Sequence, residues 1–251
     1  MDYGIEGQIA LVTGGARDVG REVALALAAE GARVAVNYNR SPMEAEDVVA
    51  EIKLAGGEAR AYQTDVSSYD SVRTMVDAVL RDFGRIDILV NNAGLVLRKH
   101  FVDTTPEDWK RQIGVGLYGV IHTCHAVVPH MVAQKSGRII NLAGDSARVG
   151  ESDLTVTAAS RAGALALTKS LAKELGRANI TVNAVTLGLI ETKHTPAEWL
   201  AANQERIIRM YPLRRIGKAT DVAPMIAFLA SKGAQWITGQ VYSVNGGFSM
   251  V

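Results

Sequence analysis

Seven short apolar runs, separated by longer stretches of helical periodicity, constrain the fold of this chain more than any other feature. They are QIALVT (8–13), ARVAVN (32–37), EARAYQ (58–63), RIDILV (85–90), GRIINL (137–142), NITVNAV (179–185) and GQVYSV (239–244). Most are almost continuously apolar, the pattern of strands covered on both faces rather than one. Helical patterns fill the gaps at 19–30, 42–56, 68–83 and 219–230. The second of these opens with Ser41 in the capping position and Pro42 in the first turn, and stops at Gly56-Gly57. Strands alternating with crossover helices define a parallel, doubly wound sheet. No repeat or low-complexity linker interrupts the alternation, so residues 1–251 are expected to form one domain. The longest irregular stretch, 186–197, follows the sixth run, at the sheet edge where ligands bind; 186–212 is expected to form a lid or substrate loop.

Composition narrows the class. The 251 residues are 48% hydrophobic and 21% charged, with a formal net charge of +1. This is a globular balance without the basic excess of a nucleic-acid or acidic-membrane binder. One cysteine, Cys124, excludes an internal disulfide and a Cys-rich metal site. The opening residues lack a basic segment followed by a long apolar run, and no apolar stretch approaches about 20 residues. A cytoplasmic protein is expected, with no metal.

TGGARDVG (13–20) joins the first strand to the first helix. Glycines there let backbone N–H groups at a helix N-terminus approach a phosphate. TDVSS follows the third strand and NNAG (91–94) the fourth, at strand ends that would meet an adenine and a ribose. With GRIINLAG, GRANITVNAV, GLIET, PLRRIGKATDVAPMIAFLAS and ITGQVYSVNGG, these motifs resemble the short-chain dehydrogenase/reductase family over almost the whole chain. The resemblance implies a three-layer αβα Rossmann fold with about seven parallel strands. It assigns a dinucleotide to Gly14, Arg17, Val19, Gly20, Arg40, Asp65, Val66, Asn92, Ala93, Gly94, Arg161 and Thr192. The second strand ends in Asn37-Tyr38-Asn39-Arg40, without the acid usual for NAD. Arg17 and Arg40 would meet a 2′-phosphate, so NADP(H) is the expected cofactor. Asp18 stands where the family has glycine or alanine. A carboxylate about 4 Å from pyrophosphate would repel it by roughly 1–4 kcal/mol, which puts binding in question unless Asp18 turns outward.

The same resemblance implies an Asn-Ser-Tyr-Lys catalytic set, and the matching places hold Gly116, Gly144, Thr157 and Arg161. No Tyr-x-x-x-Lys occurs elsewhere. A threonine alcohol is far less acidic than a phenol, and a guanidinium does not titrate. Asp145, Ser146, Glu151, Asp153, Thr155, Tyr118, His122 and His125 are the alternative polar candidates; local turn bonds account for Asp145 and Ser146, and proximity to a helix start for Glu151 and Asp153. His122 and His125 lie three apart on one helix, where an oligomer contact is a simpler account than a metal. The expectation drawn from this pattern is a catalytically impaired, non-catalytic subunit. It would associate through helices near 113–133 and 156–176, paired with an active homologue. A non-standard enzyme using other residues and an NADP(H) sensor are the alternatives.

Overall fold

The computed structural model describes residues 3–193, 195 and 197–251. Seven parallel strands form one sheet: β1 (Ile9–Val12), β2 (Arg33–Tyr38), β3 (Ala59–Gln63), β4 (Ile88–Asn91), β5 (Gly137–Gly144), β6 (Ile180–Leu187) and β7 (Val241–Val244). Their order is β3-β2-β1-β4-β5-β6-β7, so the winding reverses between β1 and β4. All seven apolar runs become strands. The second, fourth, fifth and sixth continue past the expected ends, because ladder pairing carries Tyr38, Asn91, Gly144 and Leu187 beyond the apolar segment.

Helices cover both faces: α1 (Asp18–Ala29), α2 (Pro42–Leu54), α3 (Tyr69–Phe83), α4 (Pro106–Ile113), α5 (Gly119–Gln134), the single turn α6 (Ser146–Val149), α7 (Thr155–Leu175), α8 (Ala197–Arg209) and α9 (Ala219–Ala230). Alternate residues of each strand feed opposite cores. Val12, Val34, Val36 and Val90 pack with Val23, Leu27, Val48 and Ile226 of α1, α2 and α9. Ile9, Leu11, Leu89 and Ile139 pack with Val72, Val79, Val127 and Met131 of α3 and α5. This two-sided burial is why the runs lack polar alternation.

Local chemistry sets the helix ends. Ser41 occupies the N-cap of α2, but its side chain makes no capping bond, which corrects that expectation in part. At the other end Gly56 takes φ +86°, and the Gly56 and Gly57 N–H groups bond Lys53 and Ile52 carbonyls at 3.0 and 2.9 Å. The expected loop after β6 is irregular only to 193 among the described residues before it. His194 and Pro196 lie outside them, and α8 occupies most of the remaining lid range.

One helix joint bears on the site. Between α4 and α5 the chain widens into a π-helical turn, Gly114–Tyr118, with Gly116 at its centre. Such single π turns re-aim side chains on either side of them. Cys124 lies beneath, where burial pushes its thiol up to about 12. No helix among the described residues is long and apolar enough to cross a membrane.

Candidate active site

The loops at the carboxyl ends of β1, β2 and β4 are sewn together by side chains. Asn37 is buried at the end of β2; its Oδ1 accepts from Gly14 N at 3.1 Å, and its Nδ2 donates to Thr64 O at 3.2 Å. Asn92 Nδ2 donates to the carbonyls of Thr13 and Gly14, at 2.9 and 3.0 Å. Thr13 Oγ1 accepts from the N–H groups of Asn92 and Ala93, both at 3.0 Å. Sequence reasoning assigned Asn92 and Ala93 to a ligand and left Thr13 and Asn37 out. In the structure these four residues hold the glycine loop against β4. A buried polar chain continues inward from Thr123 Oγ1 to Asn91 Oδ1 (2.6 Å), then from Asn91 Nδ2 to Asn141 Oδ1 and from Asn141 Nδ2 to Thr168 Oγ1, both 2.8 Å.

Within the glycine loop, Gly14 takes φ +61°, and Val19 and Gly20 are buried. Arg17 is the N-cap residue of α1, is exposed and makes no side-chain cap bond. Arg40 is also exposed, beyond β2. Asp65 is pushed up by burial. Its bonds from the Ser67 hydroxyl and N–H, with Asn39 and Arg40 nearby, outweigh this and hold it below the usual carboxylate range. Val66 is buried beside it, and its carbonyl meets His122 Nδ1 at 2.9 Å. Gly94 is exposed at the exit of β4. Thr192 N donates to Thr195 Oγ1 at 3.2 Å in the loop after β6. Asp18 has φ +49°, and its carboxylate accepts from Lys193 N at 3.1 Å. It therefore reaches across to the loop after β6.

Around β5 and α7 the four expected catalytic places are occupied differently from one another. The Thr157 hydroxyl is 2% exposed and donates to Gln112 Oε1 of α4. A side chain at Gly116 would meet Ser160 Oγ, 2.6 Å from its Cβ. Neither Gln112 nor Ser160 was singled out from sequence, since neither belongs to a motif. Gly144 leaves open the space into which Arg161 extends. A Cβ at Gly144 would touch Arg161 Nη1, would lie 3.4 Å from Arg161 Cζ, and would stand 3.5 Å from Ser146 Oγ. Arg161 Nη2 also lies 3.9 Å from the Cβ position of Gly94, so the guanidinium spans the exits of β4 and β5. Desolvation lowers the Arg161 pKa and Glu151 raises it, but a guanidinium remains charged. Among the described residues it has no hydrogen-bond or ion-pair partner, and Glu151 is engaged by Arg98 at 2.6 Å. Among the described residues Ser146 Oγ is buried without a partner, a state that costs about 1–3 kcal/mol.

The other polar candidates do not join this centre. Asp145 is buried at the start of α6, where it binds Asn245, Ser249 Oγ at 2.8 Å and Ser243 Oγ at 3.3 Å, anchoring the C-terminal turn. Asp153, at φ +67°, pairs with His100 at 2.7 Å. Thr155 is the exposed first residue of α7. His125 Nδ1 meets Tyr69 Oη at 2.7 Å, and exposed Tyr118 stacks on His122.

Arg215 and Asp221 brace the loop opposite. Arg215 Nη1 and Nη2 reach the Asp221 carboxylate at 2.6 and 2.7 Å, and Lys218 N donates to it at 2.7 Å. The Arg215 bonds hold Asp221 at about 2, below its ordinary 3.8, against opposing desolvation. Because the folded value is the lower one, this stabilisation is full above about pH 4 and is lost as pH falls toward 2. Asp221→Asn is expected to flatten that part of the melting-temperature profile. The effect should be no more than about 1 kcal/mol, because the pair is partly exposed.

A reversed parallel sheet with a glycine loop at its switch point and a helix N-terminus behind it defines a dinucleotide-binding Rossmann protein. A family model described as Enoyl-(Acyl carrier protein) reductase matches residues 14–249. The chain belongs to the short-chain dehydrogenase/reductase family. It is 43% identical over 242 residues, 96% of this chain and 98% of the relative, to 3-oxoacyl-(acyl-carrier-protein) reductase FabG of Staphylococcus aureus. It is 43% identical over 244 residues, 97% of both chains, to the 3-oxoacyl-(acyl-carrier-protein) reductase of Synechocystis. The solved structure of a blue fluorescent protein from a metagenomic library, in complex with NADPH, superposes with a TM-score of 0.91 at 33% identity, covering 98% of this chain and 99% of that one. These findings overturn the expectation of a non-catalytic subunit paired with an active homologue: relatives this similar along nearly the whole chain are named as reductases.

Proposed function

We propose that the protein is an NADP(H)-linked oxidoreductase that interconverts a carbonyl and an alcohol on a small acyl-type substrate. The observation that carries this reading is its 43% identity to 3-oxoacyl-(acyl-carrier-protein) reductases across 96% of the chain. The residues present fit the cofactor. Gly20 has no room for a Cβ, which would lie 2.9 Å from the Gly14 carbonyl carbon, so its glycine lets the loop pack closely on the first turn of α1, whose N–H groups would meet a phosphate. Arg17 and Arg40 supply exposed cations for a 2′-phosphate. Asp65 and Val66 would border the adenine, Asn92, Ala93 and Gly94 the ribose side, and Thr192 the loop that covers it.

NADPH, when bound, supplies the hydride. The chain's own residues shape everything around that transfer. Gly116, Gly144, Thr157 and Arg161 replace the asparagine, serine, tyrosine and lysine that the family resemblance implies, so the proton that completes the alcohol would come from solvent water rather than from a phenol at that place. The Thr157 hydroxyl is committed to Gln112. Arg161 contributes a fixed positive charge and N–H donors at the β4 and β5 exits, where negative charge on oxygen is favoured. Self-association through α5 and α7, and a single domain with a lid over 186–212, belong to the same proposal.

The test is NADPH binding followed by fluorescence, alongside NADPH oxidation with a 3-oxo acid and with its thioester, turnover of either supporting the reading. NADPH is expected to bind at least about tenfold more tightly than NADH, and Arg17→Ala with Arg40→Ala to erase that margin. A chain that binds neither cofactor would refute the reading.

A further inference from the structure

The centre beside Gly144 contains two unanswered donors. The Arg161 guanidinium is held between the exits of β4 and β5 with no acceptor among the described residues. Ser146 Oγ is buried and, among the described residues, without a partner, 3.5 Å from the Gly144 Cβ position that the guanidinium touches. A cation withdrawn from water and a hydroxyl without an acceptor are both unfavourable by themselves. A single ligand carrying two oxygens and one negative charge satisfies both, and the planar guanidinium fork matches a carboxylate. The acids nearby do not serve: Glu151 is paired with Arg98, Asp153 with His100, and Asp145 with Asn245, Ser243 and Ser249.

We infer that Arg161 and Ser146 form a carboxylate-binding subsite over Gly144, so that the protein takes a free oxo acid or hydroxy acid whose carboxylate these two residues hold. Gly144 is part of the device, because any side chain there would occupy the guanidinium's place. The inference rests on the oxidoreductase reading for its location but is tested without turnover.

The experiment is calorimetric titration of the cofactor-free protein with 3-hydroxybutyrate and with its methyl ester, the neutral match. The acid is expected to bind at least about tenfold more tightly than the ester. Arg161→Gln should abolish the preference, and Ser146→Ala should weaken acid binding by about three- to tenfold. Arg161→Lys, which keeps the charge but not the fork, should fall between. The melting temperature of every variant checks folding, and NADPH affinity, read by fluorescence, separates the two proposals. Wild-type protein that binds NADPH yet shows no preference for the acid overturns the subsite and leaves the oxidoreductase reading intact. Loss of NADPH binding by Arg161→Gln, with no acid preference in the wild type, assigns the guanidinium to the cofactor and also overturns it. Acid binding without any NADPH binding supports the subsite and removes the oxidoreductase reading.

Discussion

Gly20→Ala is expected to lower stability by about 3 kcal/mol, at the upper end of the usual overpacking range, and to weaken NADPH binding at least about tenfold. The added Cβ would collide with the Gly14 carbonyl oxygen and with Asn92 Nδ2, and would lie 2.9 Å from the Gly14 carbonyl carbon. Neither neighbour can yield cheaply. The Gly14 carbonyl is backbone, and Asn92 Nδ2 is already spent on Thr13 and Gly14. The loop must therefore open where the helix N-terminus is offered to a phosphate. For a chain of this size the melting temperature should drop by about 6–12 °C. Gly176→Ala is the control, since a Cβ there meets nothing within 4 Å, and it should melt within a degree or two of wild type. A Gly20→Ala protein with wild-type melting and NADPH affinity would show that α1 does not pack against the loop this closely.

Asp18→Gly is expected to act in the opposite direction, raising NADPH affinity by about tenfold. Two effects are removed together. A non-glycine residue at φ +49° carries backbone strain of about 1 kcal/mol, and the carboxylate places a negative charge at the N-terminus of the helix that would meet the pyrophosphate. Against this stands the loss of the bond from Lys193 N, at 3.1 Å, which ties the glycine loop to the segment after β6. Asp18→Asn separates the terms, because it removes the charge and tolerates the same φ. If both variants gain affinity alike, charge is the cause; if only the glycine does, strain is. Unchanged affinity in both would mean that the bond to Lys193 holds the carboxylate clear of the phosphate.

The four slots were read as single residues against a motif, so Gly144 counted as a side chain lost. In the structure the missing Cβ is what admits the Arg161 guanidinium, and at Gly116 the space is taken by Ser160. A motif scored position by position registers each as a deletion, although neighbouring residues supply polar groups to both spaces. Asn37 shows the same limit: read as the absence of an acid, it is in fact the bridge between β1, β2 and the turn after β3.

What the order of residues determined by itself was the layered αβα architecture, the strand runs and the glycine loop at the first crossover. These depend on periodicity and backbone freedom, which are local, and on a parallel sheet whose faces are both covered, which leaves its mark in every strand. Only the tertiary structure decided where Asp18 turns, which partner the Thr157 hydroxyl takes, and that Arg161 and Ser146 meet beside Gly144. Those outcomes set residues from 15 to 175 positions apart against one another. Their energies come from desolvation and from hydrogen bonds closed or left open across the packed sheet edge, quantities that no single segment of the chain contains.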